Sequence, residues 1–385
     1  MTTYPGTQLP INVHVFERNL SAPTPGRFVE DIGPLLSTYE HSIARNGGFE
    51  SLTLTLTVDL ASALRWLERL AYPVICYDRS ADIIWEGLIS SVSFAVEAER
   101  LDLTIDDLAN LVRVRYQSTA GATVFTGFIF NTDSIAIYGE KELTVSAGKL
   151  PAGAAPLVQQ TTLREREWPV AQRTGGALAA LSQDQSIELT IGARGWASTL
   201  RWIESNTATV NETLPSHTQI RDQLIAYNTD NPFFSTDYSG IEPIGPTQTV
   251  VYEDQQTQWD RITVLNSLGD SSGEPTAWGV GIGRKAYFRR WAGFTPNVVT
   301  YRRALGSSVF LNQYGSPVDA WRLQPDSLYQ ITDLVDPGVQ LTAVTVPSTY
   351  YVERVVCRID QQGITARMEP SRTNAVDVLI ARSRN

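Results

Sequence analysis

Ala61-Ser-Ala-Leu-Arg-Trp-Leu-Glu68 returns later in the chain as Ala197-Ser-Thr-Leu-Arg-Trp-Ile-Glu204, with six of eight residues identical. Each copy follows an alternating run, Ser51-Leu-Thr-Leu-Thr-Leu56 in the first and Ser186-Ile-Glu-Leu-Thr-Ile191 in the second. Alternation of apolar and polar residues predicts a half-buried β-strand, so each copy is a strand followed by a helix. A repeated strand-helix unit is typical of an internally duplicated scaffold. We therefore expect two related modules in one chain.

The predicted helices of the two copies carry apolar residues at matching positions, spaced i, i+4 and i+7. These residues are Leu60, Leu64 and Leu67 in the first copy and Trp196, Leu200 and Ile203 in the second. Each helix is expected to cover one edge or mouth of a small antiparallel sheet. The alternating run Leu101–Ile105 predicts a further strand, and Asp106 or Asp107 behind it is a candidate N-cap for a short helix.

Composition limits the class of protein. The chain has 385 residues, a net charge of −10 and a pI of about 4.9, so it can hold two to four modules. The acidic balance argues against a general nucleic-acid-coating protein. The sequence shows neither a signal peptide nor an apolar run near the roughly 20 residues that span a bilayer. Cys76 and Cys357 are interpreted as buried free thiols of a protein assembled in the cytoplasm.

Chemistry-bearing motifs are not found in the sequence. The three histidines are His14, His41 and His217. None has a second histidine or a cysteine three or four positions away, so no zinc site is expected. The pairs Asp82 with Glu86 and Asp106 with Asp107 are interpreted as caps or solvated edges, because a glycosidase needs its carboxylates placed across a cleft. We therefore predict no catalytic residue, no metal ligand and no cofactor, and a protein that is not an enzyme.

The glycine-rich run Gly279-Val-Gly-Ile-Gly283 looks at first like a nucleotide-binding loop. Its apolar residues Trp278, Val280 and Ile282 alternate with the glycines, and the sequence after it continues in a β-like pattern. The run is therefore interpreted as a strand whose glycines permit close approach of another backbone or an aromatic ring.

One patch of the sequence combines basic and aromatic residues. Its members are Arg284, Lys285, Arg289, Arg290, Arg302 and Arg303, interleaved with Tyr287, Phe288, Trp291 and Tyr301. Such a patch can hold single-stranded nucleic acid or an acidic sugar. The favoured interpretation is a β-surface whose arginines pair with acidic residues of a neighbouring subunit. The candidate subunit or tube interface residues are Arg65, Trp66, Arg201, Trp202, Arg289 and Arg290.

The order of strands and helices resembles the tail hub (baseplate hub) proteins of tailed bacteriophages and related injection machines. The segments that carry this resemblance are Gly47–Leu56, Pro73–Asp78, Ile83–Ile89, Ile187–Ala197, Thr276–Gly281, Val355–Asp360 and Gly363–Arg367. The resemblance implies a mainly β fold with two similar small antiparallel β-barrels of the tube type and an α/β insert. The expected domains are 1–116 for the first barrel, 117–185 for a β-rich extension and linker, 186–206 with 306–385 for the second barrel, and 207–305 for the insert.

The resemblance also implies a function and a set of partners. Three chains with two barrels each would present six similar surfaces to a hexameric tail tube. The expected partners are two further copies, a tail tube or distal tail protein, a tip spike or fibre protein and a tape-measure protein, with DNA only in transient passage. The expected location is the tail tip of the virion, where the trimer would serve genome delivery. Two alternatives stay open: a carbohydrate-binding or glycan-cleaving receptor-binding tail protein, and a neck or connector protein.

Overall fold

The fold seen in the computed structural model is mainly β. The structure describes residues 9–19, 21–96, 99–151, 153–174, 186–204, 213–250, 256–291, 298–304, 307–312, 314–325, 328–332, 349–350 and 352–370. In this part of the chain, 14 strands form one large sheet, and three smaller sheets accompany it. The run Asp377-Val-Leu-Ile-Ala-Arg382, for which the sequence predicts a last strand or a docked helix turn, lies outside the described residues.

The first third of the chain forms strands of the large sheet and one helix. The strands are β1 Asn12–Phe16, β2 Phe28–Asp31, β3 Leu36–Ala44, β4 Asn46–Asp59, β5 Pro73–Tyr77, β6 Ile83–Val96 and β7 Glu99–Thr104. Helix α1, Leu60–Trp66, follows β4. The strand and helix predicted for the first copy of the repeat are thus confirmed.

The extension after β7 folds around its own small sheet. Its elements are β8 Leu111–Gln117, β9 Thr123–Phe125, β10 Ile129–Phe130, α2 Thr132–Tyr138, β11 Glu142–Lys149, α3 Ala155–Arg166 and β12 Gln172–Thr174. The short helix predicted behind Asp106 or Asp107 is wrong, because the chain forms only turns there before β8 begins. The Asp106 carboxylate binds Arg194 at 2.5 Å instead of capping a helix.

The second copy begins with strand β13, Ser186–Gly195, and continues as a 3₁₀ helix, Trp196–Arg201, instead of an α-helix. The elements after it are β14 Leu214–Pro215, α4 Ser216–Asp230, β15 Gly240–Ile241, β16 Thr247–Gln248, α5 Gln258–Ser267, β17 Thr276–Gly281 and β18 Lys285–Arg290. The remaining strands are β19 Val298–Ala304, β20 Ser307–Leu311, β21 Leu328–Thr332, β22 Thr349–Tyr350, β23 Val352–Asp360 and β24 Gly363–Pro370. The turn Asp360-Gln-Gln-Gly363 predicts a closing hairpin from the sequence, and the structure confirms it as β23–β24.

The large sheet interleaves strands that the sequence assigned to different domains. Its main path runs β15-β18-β17-β4-β13-β6-β5-β1-β2. Strand β13 therefore lies between β4 and β6, and the closing strand β23 pairs with β3. The hairpin β17–β18, expected in the insert, joins the same sheet by pairing with the first residues of β4. The mainly β class is confirmed. The two copies, however, belong to one sheet instead of two separate sheets, and the domain boundaries stay a prediction.

The glycine-rich run lies where two backbones meet. A Cβ added at Gly279 would lie 2.4 Å from the backbone nitrogen of Gly48, so the predicted close approach is confirmed. The chain does not continue straight, however. The residues Ile282–Arg284 form a 3₁₀ turn in which Gly283 has φ 71°, and this turn reverses the chain into β18.

Candidate assembly surface around the repeated strands

The two copies of the repeat lie side by side. Strands β4 and β13 pair antiparallel, and Thr55 faces Thr190 with four residue pairs on either side. These two threonines are also equivalent positions of the repeat, so the pair lies on a local two-fold axis. The copies are therefore related by a half-turn. A half-turn is not the 60° step between neighbouring positions of a sixfold ring, so the repeated strands do not by themselves create six matched surfaces.

One face of the sheet around this axis is mostly polar. We call this set of half-buried or exposed side chains the polar face: Thr38, Glu40, Thr53, Thr55, Thr57, Ser91, Ser93, Glu188 and Thr190. The register places them in contiguous rows across β3, β4, β13 and β6. Seven of the nine carry a hydroxyl group and two carry a carboxylate. These nine side chains carry no cation, but two exposed arginines adjoin them on the same face: Arg194 lies opposite Ser51, and Arg358 of β23 lies opposite Glu40.

The other face of the same strands forms the protein core. Leu54, Leu56 and Leu189 are fully buried, and Leu52 and Ile191 are each 1% exposed. At about 25 cal/mol per Å² of apolar surface, each such leucine stabilises the fold by roughly 1.5–3 kcal/mol. The period-two pattern of the repeat thus sets which face is closed and which face is open to solvent or to a partner.

The interface candidates of the first copy separate into one surface residue and one core residue. Arg65 is exposed, and its Nε donates a hydrogen bond to the carbonyl oxygen of Ala61 at 3.4 Å. Trp66 is 3% exposed, and the guanidinium of Arg69 lies 4.3 Å from its ring centroid. Arg65 is therefore the side chain of this pair that reaches the molecular surface.

The interface candidates of the second copy have different surroundings. Arg201 is exposed, and its guanidinium lies 4.0 Å from the ring centroid of Trp259. Trp202 is half-buried, contacts Phe233 edge-on at 5.8 Å and lies under the ammonium group of Lys141 at 5.1 Å. The two repeated tryptophans therefore have different neighbours, and it is the strand register that relates the two copies. The assignment of these residues to a subunit interface stays a prediction.

The basic-aromatic patch is paired within the chain. Arg290 contacts Asp270 at 2.6 Å, and Lys285 contacts Asp237 at 2.8 Å. The Arg289 guanidinium lies 4.6 Å from the ring centroid of Tyr287. The neighbouring-subunit carboxylates expected from the sequence are thus replaced, for Lys285 and Arg290, by carboxylates of the same chain.

The large rings of the patch contribute to the core. Phe288 is fully buried and Trp291 is 6% exposed, so neither offers a face on which a sugar or base can stack. The side chains of Tyr301, Arg302 and Arg303 in β19 lie outside the described residues. The described part of the patch is therefore a structural surface of β17 and β18.

A cleft beside the second copy was missed by sequence reasoning. It has a volume of about 330 Å³ and brings together Lys141, Arg166, Arg194, Ser198 and Arg201. These residues come from segments far apart in the sequence, so no local motif marks them. The single available signal is that Lys141 is one of only three lysines in the chain.

The buried thiols and the ligand-type residues were also located. Cys76 and Cys357 are buried and free, as the sequence predicted. Burial lowers the pKa of the His41 imidazole to about 3. Within the described residues, no group of three or more His, Cys, Asp or Glu side chains is placed to hold a metal ion. No helix in that part of the chain is long and apolar enough to cross a membrane.

Comparison with known proteins gives structural likenesses alone. No family model matches the sequence, and no curated protein matches it significantly. A tail protein from Neisseria meningitidis is similar with a TM-score of 0.44 at 8% identity, over 95% of this chain and 98% of that one. A 43 kDa tail protein of a prophage from Shewanella oneidensis is similar with a TM-score of 0.42 at 9% identity, over 95% and 97%. A PdpA-VgrG complex from Francisella has a TM-score of 0.30 at 8% identity, over 91% and 49%.

Proposed function

We propose that this chain is a structural tail hub protein of a bacteriophage virion, which joins the tail tube to the distal tip and frames the DNA exit channel as a trimer. One observation carries the proposal. The segments that resemble the hub family lie in β4, β5, β6, β13, β17, β23 and β24, and all of these are strands of the same sheet. Sequence features scattered over most of the chain thus form one contiguous scaffold.

The polar face supports a role as a channel wall. DNA carries one negative charge per roughly 1.7 Å of helix axis, so cations on a wall would retain it. In the polar face, the carboxylates of Glu40 and Glu188 repel phosphate, and the adjoining cations Arg194 and Arg358 are paired with Asp106 and Asp360. A wall whose cations are neutralised in this way would let DNA pass without holding it.

The proposed partners follow from the same role. They are two further copies of this chain, a tail tube or distal tail protein above, a tip spike or fibre protein below and a tape-measure protein. DNA is in contact only during passage. In this proposal the protein is not an enzyme, and its place is the tail tip of the virion.

The first test is an image of the native particle, together with light scattering of the purified full-length chain. Density for this chain as a threefold ring at the tail tip supports the proposal. Density at the head-proximal end identifies a neck protein instead. A protomer bound singly on the outer surface of the particle contradicts both assignments and favours receptor binding.

A second test changes the charge of the polar face. We predict that phage carrying Thr53→Lys and Glu188→Lys assemble but release DNA several-fold more slowly at low salt than at high salt, because the new cations retain phosphate groups. The matched control is Thr161→Lys together with Glu165→Lys on the exposed side of α3, which changes the charge by the same amount. The measurement is DNA ejection triggered in vitro. Equal release rates for the two variants would show that the polar face does not line the channel.

A further inference from the structure

The cleft beside the second copy consists of two adjoining cavities. Each has a volume of about 330 Å³, and both are lined by Arg194, Ser198 and Arg201. Lys141 and Arg166 line the first cavity. The two cavities thus share a wall that carries two arginines, in a protein whose net charge is −10.

Several of these cations lack an acidic partner. Lys141 is 6% exposed, and its Nζ donates a hydrogen bond to the backbone oxygen of Ile105. Arg201 lies against the ring of Trp259, and Asp260 and Glu50 attract its guanidinium group without forming an ion pair. In the described part of the chain, no carboxylate forms an ion pair with Lys141, Arg166 or Arg201. The Lys141 ammonium group has one hydrogen-bond acceptor and lies 5.1 Å from the ring centroid of Trp202, so at least one N–H donor remains to be satisfied.

The acidic groups of the cleft do not compensate these charges fully. Asp106 is already paired with Arg194, and Asp107 faces Lys141 without a close contact. Burial raises the pKa of the Glu142 carboxyl to about 7, so this group carries only part of a charge at neutral pH. Arg194 interacts unfavourably with Lys141 on one side and with Arg201 on the other.

We propose that this cleft binds a small oxyanion of the phosphate or sulfate class. Lys141, Arg166 and Arg201 supply the charge, and the guanidinium groups present paired donors that match the oxygens of such an anion. The Ser198 hydroxyl oxygen is buried and has no hydrogen-bond partner among the described residues, which leaves it free to donate to the anion. This site does not depend on the proposed role in the tail.

A bound anion would connect three parts of the fold. Arg166 ends helix α3, Lys141 directly precedes β11, and Ser198 and Arg201 belong to the 3₁₀ helix of the second copy. The anion would therefore hold the extension against the large sheet. Because a ligand that binds only the folded state stabilises it, the unfolding temperature should rise with anion concentration.

Calorimetric titration of the purified full-length chain with inorganic phosphate tests the site, at constant ionic strength set with chloride. We expect saturable binding with one anion per chain. Arg201→Gln and Lys141→Met should each weaken it about tenfold or more, since a hydrogen bond to a charged group contributes roughly 1.5–3 kcal/mol. The matched control is Arg65→Gln, which changes the equivalent exposed arginine of the first copy. Absence of saturable binding, or equal affinities in all four proteins, would overturn the proposal.

Proton uptake on anion binding is a second measurement, and non-specific binding to surface charges would not change it. Burial lowers the pKa of Lys141 to about 8, and an anion beside the ammonium group raises it again. Sulfate binding at pH 8 should therefore take up a fraction of a proton, seen as a dependence of the binding heat on the buffer. The Lys141→Met protein should take up fewer protons even if it still binds, and the uptake that remains is assigned to Glu142, whose pKa is about 7. Identical buffer dependence in the wild-type and Lys141→Met proteins would show that Lys141 does not face the anion.

Discussion

The two copies of the repeat start from nearly the same sequence and end in different surroundings. In the first copy, Asp59 caps helix α1 by accepting a hydrogen bond from the amide of Ser62 at 2.7 Å, and Leu64 is 49% exposed. In the second copy, Gly195 takes the place of the cap, and Leu200 is fully buried. The difference shows that local sequence sets the strand and the direction of the turn, while the elements packed above each copy decide which residues are buried.

The cause of the difference is the chain that follows each copy. Helix α5 packs against the 3₁₀ helix of the second copy, and no helix covers α1 in the same way within the described residues. A side chain at position 195 is also excluded, because a Cβ there would lie 1.7 Å from the backbone oxygen of Phe49. The contact between Gly195 and Phe49 therefore requires glycine at this position, where the first copy has the capping residue Asp59.

The largest expected difference lies between the two equivalent leucines. Leu200→Ala should lower the free energy of unfolding by about 2–5 kcal/mol, because it leaves a cavity in the core. Leu64→Ala should change it by no more than about 0.5 kcal/mol, because this side chain is half in solvent. Urea denaturation of both variants measures the difference. Similar losses would mean that α1 is covered in solution as well, for example by another copy of the chain.

The strands that flank the two copies differ in a titratable group. Strand β3 brings His41 into the core beside Leu52 of the first copy, whereas β6 places Val92 and Phe94 against the second. Burial lowers the pKa of His41 to about 3, whereas an unfolded histidine titrates near 6.5. Between these values the unfolded chain binds a proton that the folded chain does not. Stability is therefore lost as the pH falls below about 6.5.

This linkage predicts a pH dependence that a single substitution removes. Between pH 7 and pH 5, His41 should account for a loss of about 2 kcal/mol in the free energy of unfolding. The His41→Leu protein should lose correspondingly less over the same interval. Urea titrations at both pH values measure this, with His217→Leu as a control on a half-buried histidine. If the free energy of unfolding of His41→Leu falls between pH 7 and pH 5 as much as that of the wild type, the imidazole of His41 must have a hydrogen-bond acceptor or a water beside it.

The sequence predicted the elements whose pattern is local. Period-two alternation located β4, β13 and β7, and the turn Asp360–Gly363 located the closing hairpin. The helix of the second copy is a 3₁₀ helix, and it is constrained by the tight contact at Gly195 and by the burial of Leu200. Both constraints come from distant parts of the chain, so the repeated octapeptide alone does not predict them.

Long-range pairing was the part that local patterns could not give. Sequence order suggested that each copy would build its own sheet, whereas β13 pairs with β4 over nine residue pairs. The anion-binding cleft was missed for the same reason. Lys141, Arg166 and Arg201 are separated by 25 and 35 positions, and only the folded chain brings them together. For the basic-aromatic patch, the sequence shows the spacing of the basic residues but not their acidic partners. Lys285 and Arg290 were expected to pair with a neighbouring subunit, whereas they pair with Asp237 and Asp270 of the same chain.

The smallest expected difference concerns the repeated arginines. In phosphate-free buffer, Arg201→Ala should lower the free energy of unfolding by about 0.5–1 kcal/mol, because it removes the cation-π contact with Trp259. Arg65→Ala should change it by no more than about 0.5 kcal/mol. A double-mutant cycle with Trp259→Leu isolates the contact, since the effect of Arg201→Ala should vanish in that background. If Arg201→Ala still lowers the free energy of unfolding in the Trp259→Leu background, Arg201 stabilises the fold through charged groups of the cleft even without an anion. The two repeated arginines would then differ in their electrostatic surroundings and not in one stacking contact.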